Sequence, residues 1–365
     1  MEMNQKQIKY YMTRALELAK RGKEKVHPNP LVGCVIVRNG KIVGEGYHHE
    51  YGAPHAEVNA LKEAGKNAKG STVFVNLEPC AHYGKTPPCS DALIAASVKE
   101  VIIAVKDPNP MVKGKGIAKL KNAGVSVTVG VMEEEAKKLN EKFFYAMEHR
   151  IPYVAVKIAQ TLDGRMNDAC RQSKWITSME SRKEAHRLRA MYDAILVGAK
   201  TVKEDDPELT VRYVSGRNPM RIILDGKLSV PIQAKVFKTE VARTILFTST
   251  KAMNQQINKV LALEKKGVEV YGISNSKEIS LQSILRFLWK EGVTSALVEG
   301  GAYTASSFLE QNLVQKVYLF GAPLMLGGGG AIAFHTPRPL SKPIRMNFET
   351  IERIGEDLFL EASVL

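Results

Sequence analysis

Apolar residues recur at helical spacing over residues 5–21, at Ile8, Tyr11, Met12, Ala15, Leu16 and Ala19, which predicts an amphipathic helix. The next apolar run, 31–37, predicts a buried strand, with 41–47 as its partner and Asn39-Gly40 between them as a two-residue hairpin turn. A helix is expected over 55–64, ended by Gly65, then a strand over 71–77 that runs directly into Glu78-Pro79-Cys80. Cys89 opens a helix reaching 96, and 101–105 is another strand. Segments 117–123 and 125–129 continue the alternation, and one long helix is expected over 133–148. Pro152 disfavours helix at the residue before it, so His149-Arg150-Ile151-Pro152 marks a domain boundary, giving domains 1–150 and 151–365.

A fresh pattern follows. Strands are expected over 153–159, 194–197, 221–224, 244–248, 268–270 and 295–298, with helices over 281–289 and 305–311. Strands alternating with helices in both halves predict an α/β fold. No short-period repeat is visible.

The chain has 365 residues, 44% hydrophobic and 25% charged, a globular composition long enough for two domains. No apolar run reaches the roughly 18 residues of a membrane helix, and Met1 to Tyr10 lacks a signal-peptide core, so no membrane partner and a cytoplasmic location are expected. Four cysteines cannot build a disulfide framework; two of them clustered near a histidine point to metal. The net charge of +14 divides evenly, +7 over residues 1–150 and +7 over the remainder. An even positive field suits phosphorylated substrates, and without a basic stripe no nucleic-acid partner is expected.

His55-Ala56-Glu57, with Cys80 and Cys89, carries the chemistry. One imidazole and two thiolates can hold zinc tetrahedrally with the fourth position left to water, a catalytic arrangement. Glu57, two residues after the histidine, can shuttle protons without ligating the metal, as in zinc deaminases. Each cysteine alone would read as a buried free thiol; their occurrence with His-Ala-Glu and Pro-Cys favours zinc. His55 and Glu57 are expected in the first turn of a helix, and Cys80 and Cys89 at loop-to-helix junctions, where amide dipoles favour thiolates. Cys34 is expected in the core, and Cys170 has no evident partner.

Further strings extend the pattern. Asn29-Pro30-Leu31-Val32-Gly33, His55-Ala56-Glu57, the run Leu77-Glu78-Pro79-Cys80-Ala81-His82-Tyr83-Gly84-Lys85-Thr86-Pro87-Pro88-Cys89, and Asp107-Pro108-Asn109-Pro110 resemble the deaminase half of the bifunctional riboflavin-biosynthesis deaminase/reductase family. The second half supplies Val156-Lys157, Leu162-Asp163-Gly164-Arg165, Trp175-Ile176-Thr177-Ser178, Gly198, Thr201-Val202, Asp205-Asp206-Pro207, Leu209-Thr210-Val211-Arg212 and Val298-Glu299-Gly300-Gly301, which resemble the family's reductase domain. The match runs over essentially the whole chain in the family's order, and the eight residues between the cysteines are that family's spacing.

The resemblance implies a cytidine-deaminase-like three-layer α/β/α domain followed by a dihydrofolate-reductase-like α/β domain. It implies zinc and NADPH as cofactors, a phosphorylated pyrimidine as substrate, and a homo-oligomer. An exocyclic amine is first hydrolysed to give an aminouracil, and the phosphoribosyl group is then reduced to a ribityl phosphate chain. Asn29, His48, His82, Lys85, Asp107 and Asn109 match the positions that hold the deaminase substrate. Ser173, Arg189, Leu209, Arg212 and Glu299 match reductase substrate contacts. Ala159, Trp175, Thr201 and Asp205 match cofactor contacts, and Gly301, Ala302, Tyr303, Thr304, Ala305, Ser306 and Ser307 match a cofactor loop.

Blander readings stand beside these. Asn29 and Asn109 precede prolines and can simply set turns; His48 and His82 can be exposed polar residues; Asp163-Gly164 can be a turn. Lys157 is expected to polarise the reacting group, against a structural ion pair. Arg189 and Arg212 suit a phosphate through their guanidinium forks. No G-x-G-x-x-G fingerprint is present, so the cofactor site is not a standard dinucleotide fold. Thr248-Ser249-Thr250-Lys251 offers a place for a 2′-phosphate. The segment Asn167-Asp168-Ala169-Cys170-Arg171-Gln172 departs from the family's small, glycine-containing stretch and adds a positive charge. The alternatives are a zinc deaminase acting on a base in RNA, to which 7% aromatic content lends little, and a catalytically silent second half.

Overall fold

A computed structural model describes residues 3–22, 25–83, 87–273, 280–334 and 336–365. The chain divides into two compact units, Met1–Arg150 and Ile151–Leu365.

The first unit runs α1 (Gln5–Lys20), β1 (Gly33–Arg38), β2 (Lys41–Tyr47), α2 (Ala56–Ala64), β3 (Thr72–Leu77), α3 (Cys89–Ala95), β4 (Glu100–Val105), α4 (Lys115–Asn122), β5 (Ser126–Val129), α5 (Glu133–Leu139) and α6 (Glu141–His149). Helix α1 starts where Asn4 and Gln7 exchange side-chain-to-backbone hydrogen bonds, a capping box. Asn39 and Gly40 both take positive φ, 52° and 73°, as the hairpin between β1 and β2 requires.

Among the described residues the strands form one sheet in the order β2-β1-β3-β4-β5, antiparallel across β2-β1-β3 and parallel from β3 to β5. Side chains alternate across it. Cys34, Ile36, Val73, Val75 and Ile103 pack against Ala56, Ala60, Leu93 and Leu120 of α2, α3 and α4. Val35, Val37, Phe74 and Ile102 face Tyr11, Met12, Ala15 and Leu16 of α1, with Ala136 and Phe144 beside them. Burial on both faces explains why the strands read as unbroken apolar runs, and it makes three layers, α/β/α.

Two expectations are corrected here. The helix expected over 133–148 is two helices, broken at Asn140, whose backbone (φ −113°, ψ 27°) leaves the helical region. The Asn140 side chain accepts from Leu31 N (2.8 Å) and donates to Leu31 O (2.9 Å). The same carbonyl accepts from Asn76 (2.9 Å), whose oxygen takes Gly33 N (2.8 Å). With Leu31's backbone groups taken by these amides, β1 starts at Gly33 and not at residue 31.

The second unit runs β6 (Tyr153–Thr161), α7 (Met179–Met191), β7 (Ala194–Gly198), α8 (Ala199–Asp205), β8 (Met220–Leu224), β9 (Thr244–Thr248), α9 (Thr250–Gln255), α10 (Ile257–Glu264), β10 (Glu269–Gly272), α11 (Leu281–Lys290), β11 (Ser295–Val298), α12 (Ala302–Glu310), β12 (Lys316–Ala322), β13 (Met346–Ile354) and β14 (Asp357–Val364). Its sheet has the order β10-β9-β8-β7-β11-β6-β12-β14-β13, parallel from β10 to β12 and closed by the antiparallel pair β14 and β13. Val156, Leu196, Ile222 and Phe247 pack on α11 and α12 through Ile284, Leu288 and Phe308. Ile195, Val197, Ile223 and Leu246 pack on Val202, Val260 and Leu263 on the other side.

Helix α12 begins at Ala302, three residues before the expected start at 305, with Gly301 as its N-cap. The stretch matched to a cofactor loop is therefore a helix N-terminus. No described helix is long and apolar enough to cross a membrane.

Candidate zinc centre and nucleotide cavity

The carboxyl ends of β3 and β4 deliver the first site, the usual place for ligands on a parallel sheet. Strand β3 ends at Leu77, and the chain turns through Glu78 and Pro79 to Cys80. Glu78 organises this turn: its buried carboxylate accepts from the amides of Asp107 (3.3 Å), Gly114 (3.0 Å), Gly116 (3.1 Å) and Ile117 (3.2 Å). A Cβ at Gly116 would lie 1.9 Å from the Pro79 carbonyl, so only glycine lets α4 approach the residue before Cys80.

His55 is the N-cap of α2 and Glu57 lies in its first turn, buried. Cys89 is the first residue of α3. Cys80 is not at a helix start, contrary to expectation: it lies in the loop after β3 and is drawn to the helix by the Cys89 amide, which donates to its sulfur (3.3 Å). His55 Nδ1 lies 3.2 Å from Cys89 Sγ and 3.6 Å from Cys80 Sγ. Tetrahedral zinc with ordinary Zn–N and Zn–S bonds separates such donors by ~3.5 Å, so the three fit the ion. Their donor atoms all lie within 4.8 Å of one another. The Cys89 side chain, the amide of Cys89 and His55 hold the Cys80 thiol down at about 4 against the opposing effect of burial, which leaves it a thiolate ready to ligate.

Glu57 Oε2 is buried with no hydrogen-bond partner. Burial raises its pKa, partly offset by His55. A buried, orphaned carboxylate oxygen next to three metal donors is an atom waiting for a ligand proton.

The residues matched to the first substrate separate into groups. His48 is buried, not exposed, and its ring lies 5.2 Å from that of His55. Its Nδ1 faces the Pro54 carbonyl (3.3 Å) and its Nε2 the Asn29 amide nitrogen (3.0 Å). A carbonyl only accepts, so Nδ1 carries the proton and Nε2 accepts from Asn29. Burial, with the other histidines, lowers the His48 pKa and keeps the ring neutral. Asp107 is buried and its pKa is pushed up to about 7, chiefly by desolvation and further by Glu78 and Cys80. Asp107 accepts the Asn109 amide (2.8 Å) and Asn109 accepts that of Met111 (3.0 Å), so both also set the turn after β4. His82 is exposed in the loop after Cys80, and Lys85 lies outside the described residues. Cys34 is buried in the core, and Cys170 is exposed.

The second site is a cavity of about 860 Å³ at the carboxyl ends of β7, β8 and β11. It is lined by Lys157 and by every residue matched to the reductase's substrate and cofactor contacts except Ala305 and Ser306. Those two are buried; the helical turn of α12 carries Ala305 into the core while Ala302, Tyr303, Thr304 and Ser307 face the cavity. A Cβ at Gly198 would sit 2.7 Å from Thr304 Oγ1, which holds α12 close to the end of β7. Gly301 N donates to Thr201 Oγ1 (2.9 Å), and Ser173 Oγ to Asp205 (2.7 Å). Trp175 is exposed, with the Arg182 guanidinium 4.3 Å from its ring.

Arg189 does not stand free for a phosphate. It grips Glu299 with Nε (2.7 Å) and Nη2 (2.8 Å), and its Nη1 donates to Thr210 O (3.1 Å). Burial alone would raise the Glu299 pKa, but the charge and hydrogen bonds of Arg189, with Lys157 and His186, outweigh it and hold the carboxyl at about 2. Lys157, 5.7 Å from the Phe320 ring centroid, is lowered by desolvation. Arg212 pairs with Glu208 (2.8 Å) and keeps an exposed guanidinium at the cavity.

Asp163 and Gly164 do form a turn, Gly164 at φ 78°, and Asp163 fastens it by accepting the amides of Leu326 and Gly327. Thr248-Ser249-Thr250-Lys251 is absent from the cavity lining: Thr248 is buried and Ser249 caps α9. The divergent segment folds into a turn, with Asp168 accepting the Gln172 amide (2.8 Å), and places Asn167 and Arg171 at the cavity. Sequence reading missed Asn76, Glu78, Asn140 and His186; of these only Glu78, beside Cys80, carried a sequence signal.

Residues 5–105 match the cytidine and deoxycytidylate deaminase zinc-binding region, and residues 152–360 match the RibD C-terminal domain. The chain is 48% identical over 353 residues to the riboflavin biosynthesis protein RibD of Aquifex aeolicus, covering 96% of this chain and 97% of that one. A solved RibD from Acinetobacter baumannii superimposes with a TM-score of 0.89 at 38% identity, over 99% of both chains. A diaminohydroxyphosphoribosylaminopyrimidine deaminase/5-amino-6-(5-phosphoribosylamino)uracil reductase from Thermotoga maritima gives 0.84 at 40% identity, again over 99% of both. With both halves matched in order, the chain belongs to the RibD family of bifunctional riboflavin-biosynthesis enzymes, a zinc-dependent deaminase joined to an NADPH-dependent reductase.

Proposed function

We propose that the first unit hydrolyses the exocyclic amine of a diaminohydroxypyrimidine bearing phosphoribosylamine, and that the second reduces the resulting aminouracil's ribosyl group to ribityl phosphate. The observation that carries the reading is the unpartnered Glu57 oxygen beside the His55, Cys80 and Cys89 triangle.

Zinc, when bound to those three, supplies the Lewis acidity that makes a water nucleophilic at neutral pH. Glu57 takes the first proton this water gives up and passes it to the ring nitrogen, then carries the water's second proton to the amine, which leaves as ammonia as the carbonyl forms. Its raised pKa suits a group that must hold a proton for part of the cycle. Asn29 presents its amide beside neutral His48 and reads the heterocycle; His82 and Lys85 are suited to the substrate's outer, phosphorylated end.

NADPH supplies hydride in the second half. Ala159, Trp175, Thr201, Asp205 and the amino end of α12 hold the nucleotide. Lys157 polarises the ribosyl carbon–heteroatom bond, and Glu299 stays ionised beside it because Arg189 pins it. Arg212, with Ser173 and Leu209, receives the phosphoribosyl chain. A cytoplasmic homo-oligomer is part of this reading, supported by four free cysteines and by Phe348, Ile351 and Leu358 exposed on the outer pair β13–β14.

Incubating the protein with the pyrimidine and NADPH tests it: ammonia release followed by loss of nicotinamide absorbance is expected. Ammonia without NADPH oxidation would reject the second half of the reading, and neither signal would reject the whole.

A further inference from the structure

His186 is the buried titratable group in the reductase cavity wall that the chemistry above does not use. It lies on α7, three residues before Arg189, and is 4% exposed. Its Nδ1 accepts the backbone N–H of Arg212 at 2.9 Å. A ring nitrogen that accepts carries no proton, so the proton of the neutral ring is on Nε2. Nε2 is 3.4 Å from Arg189 Nη1, donor against donor, and no hydrogen bond joins them.

Two hydrogen bonds therefore run between α7 and the segment 208–213, one from Arg189 to the Thr210 carbonyl and one from the Arg212 amide to His186. The Tyr213 ring packs against the imidazole with centroids 4.5 Å apart. Among the described residues, Arg212's own guanidinium bonds to Glu208 and Thr210 within that same segment, and the backbone bond to His186 ties Arg212 to the helix.

The groups around the ring keep it an acceptor. Burial lowers its pKa most, Arg189, Arg212 and Lys157 lower it further, and Glu299 only partly opposes them; the result is about 4. Across the neutral range Nδ1 stays free of a proton and the bond to Arg212 persists.

We infer that His186 is a positioning residue of the reductase: by accepting the Arg212 amide on Nδ1, it holds the 208–213 segment so that the Arg212 guanidinium meets the phosphate of the ribosyl substrate. This rests on the reading of the cavity as the reductase site.

Two near-isosteric amides divide the ring's two nitrogens. Asparagine can offer an oxygen where Nδ1 stands, whereas glutamine places its amide where Nε2 stands. In the full-length protein, with the aminouracil substrate supplied directly, H186Q and H186F raise the reductase KM for that substrate by about tenfold, the loss of one buried hydrogen bond. In H186N the rise is about threefold or less. In the glutamine and phenylalanine variants kcat falls less than KM rises, and that retained turnover reports on an intact second unit. A KM in H186Q equal to that of the parent overturns the proposal, as does H186N as impaired as H186Q. A parent protein that releases ammonia but never oxidises NADPH overturns the cavity reading itself, a result distinct from either.

Discussion

The guanidinium of Arg189 holds both carboxylate oxygens of Glu299, at 2.7 and 2.8 Å, with side chains only 13% and 8% exposed. The pair joins α7 to the end of β11 and leaves an ionised carboxylate beside Lys157. An arginine matched by sequence to a substrate contact is thus already engaged by a carboxylate of its own chain. Its first task is to keep Glu299 charged and aimed.

This pairing sets a pH dependence. The folded pKa of Glu299, about 2, is below its ordinary value of 4.5, so the unfolded chain takes up the proton first. The stabilisation is complete above about pH 4.5 and is lost as pH falls through about 2. Thermal midpoints of parent and E299Q measured on acidification should converge. Midpoints that stay parallel down to the acid limit would show that Glu299 is not held ionised by Arg189.

Replacing Glu57 by glutamine removes the proton carrier and keeps the shape of the side chain. Ammonia release should fall by about 10²–10⁴-fold, with zinc content retained and NADPH oxidation on supplied aminouracil intact. Deamination at the parental rate would remove Glu57 from the mechanism.

Stripping zinc with a chelator, or replacing Cys80 by alanine, should abolish ammonia release and leave reductase turnover in place, because the metal donors all belong to the first unit. Metal analysis and the two rates measured on one sample check this. Deamination by metal-free protein would be incompatible with the site.

Asn140 acts on the first site at a distance. Asn140→Ala deletes both hydrogen bonds to Leu31, two residues after Asn29, and strands a backbone N–H. A loss of about 1–3 kcal/mol in unfolding free energy is expected, with a raised KM for deamination and unchanged zinc content. Unfolding in denaturant gives the first quantity and ammonia release the second.

Arg171, at φ 63° in the divergent turn, lines the cavity with an exposed side chain. Arg171→Ala should raise the KM for NADPH or for the phosphorylated substrate by about five- to tenfold, the worth of one charge-assisted contact. Unaltered values for both would leave this residue a surface charge.

Much of the architecture could be read from spacing. The unbroken apolar runs of β1, β3 and β4 and the Asn39-Gly40 turn are local signals, and all of them are present in the fold. Asn140 shows where this fails: the propensity of 133–148 favours one continuous helix, but the bonds that break it go to Leu31, more than a hundred positions away. The start of α12 was misplaced for a similar reason, since Gly301 caps it while bonded to Thr201.

The sequence by itself determined the inventory of the sites: which side chains can bind zinc, which carboxylate follows the histidine, and the order of the two units. Those properties reside in residue identity and spacing, which need no third dimension. Only the tertiary structure decided that Arg189 is paired with Glu299, that Asn76 and Asn140 share one carbonyl, that Ala305 and Ser306 turn away from the cavity, and which nitrogen of His186 is free. Each of these depends on groups that the fold alone brings within 3 Å or so, where a hydrogen bond has its directional strength.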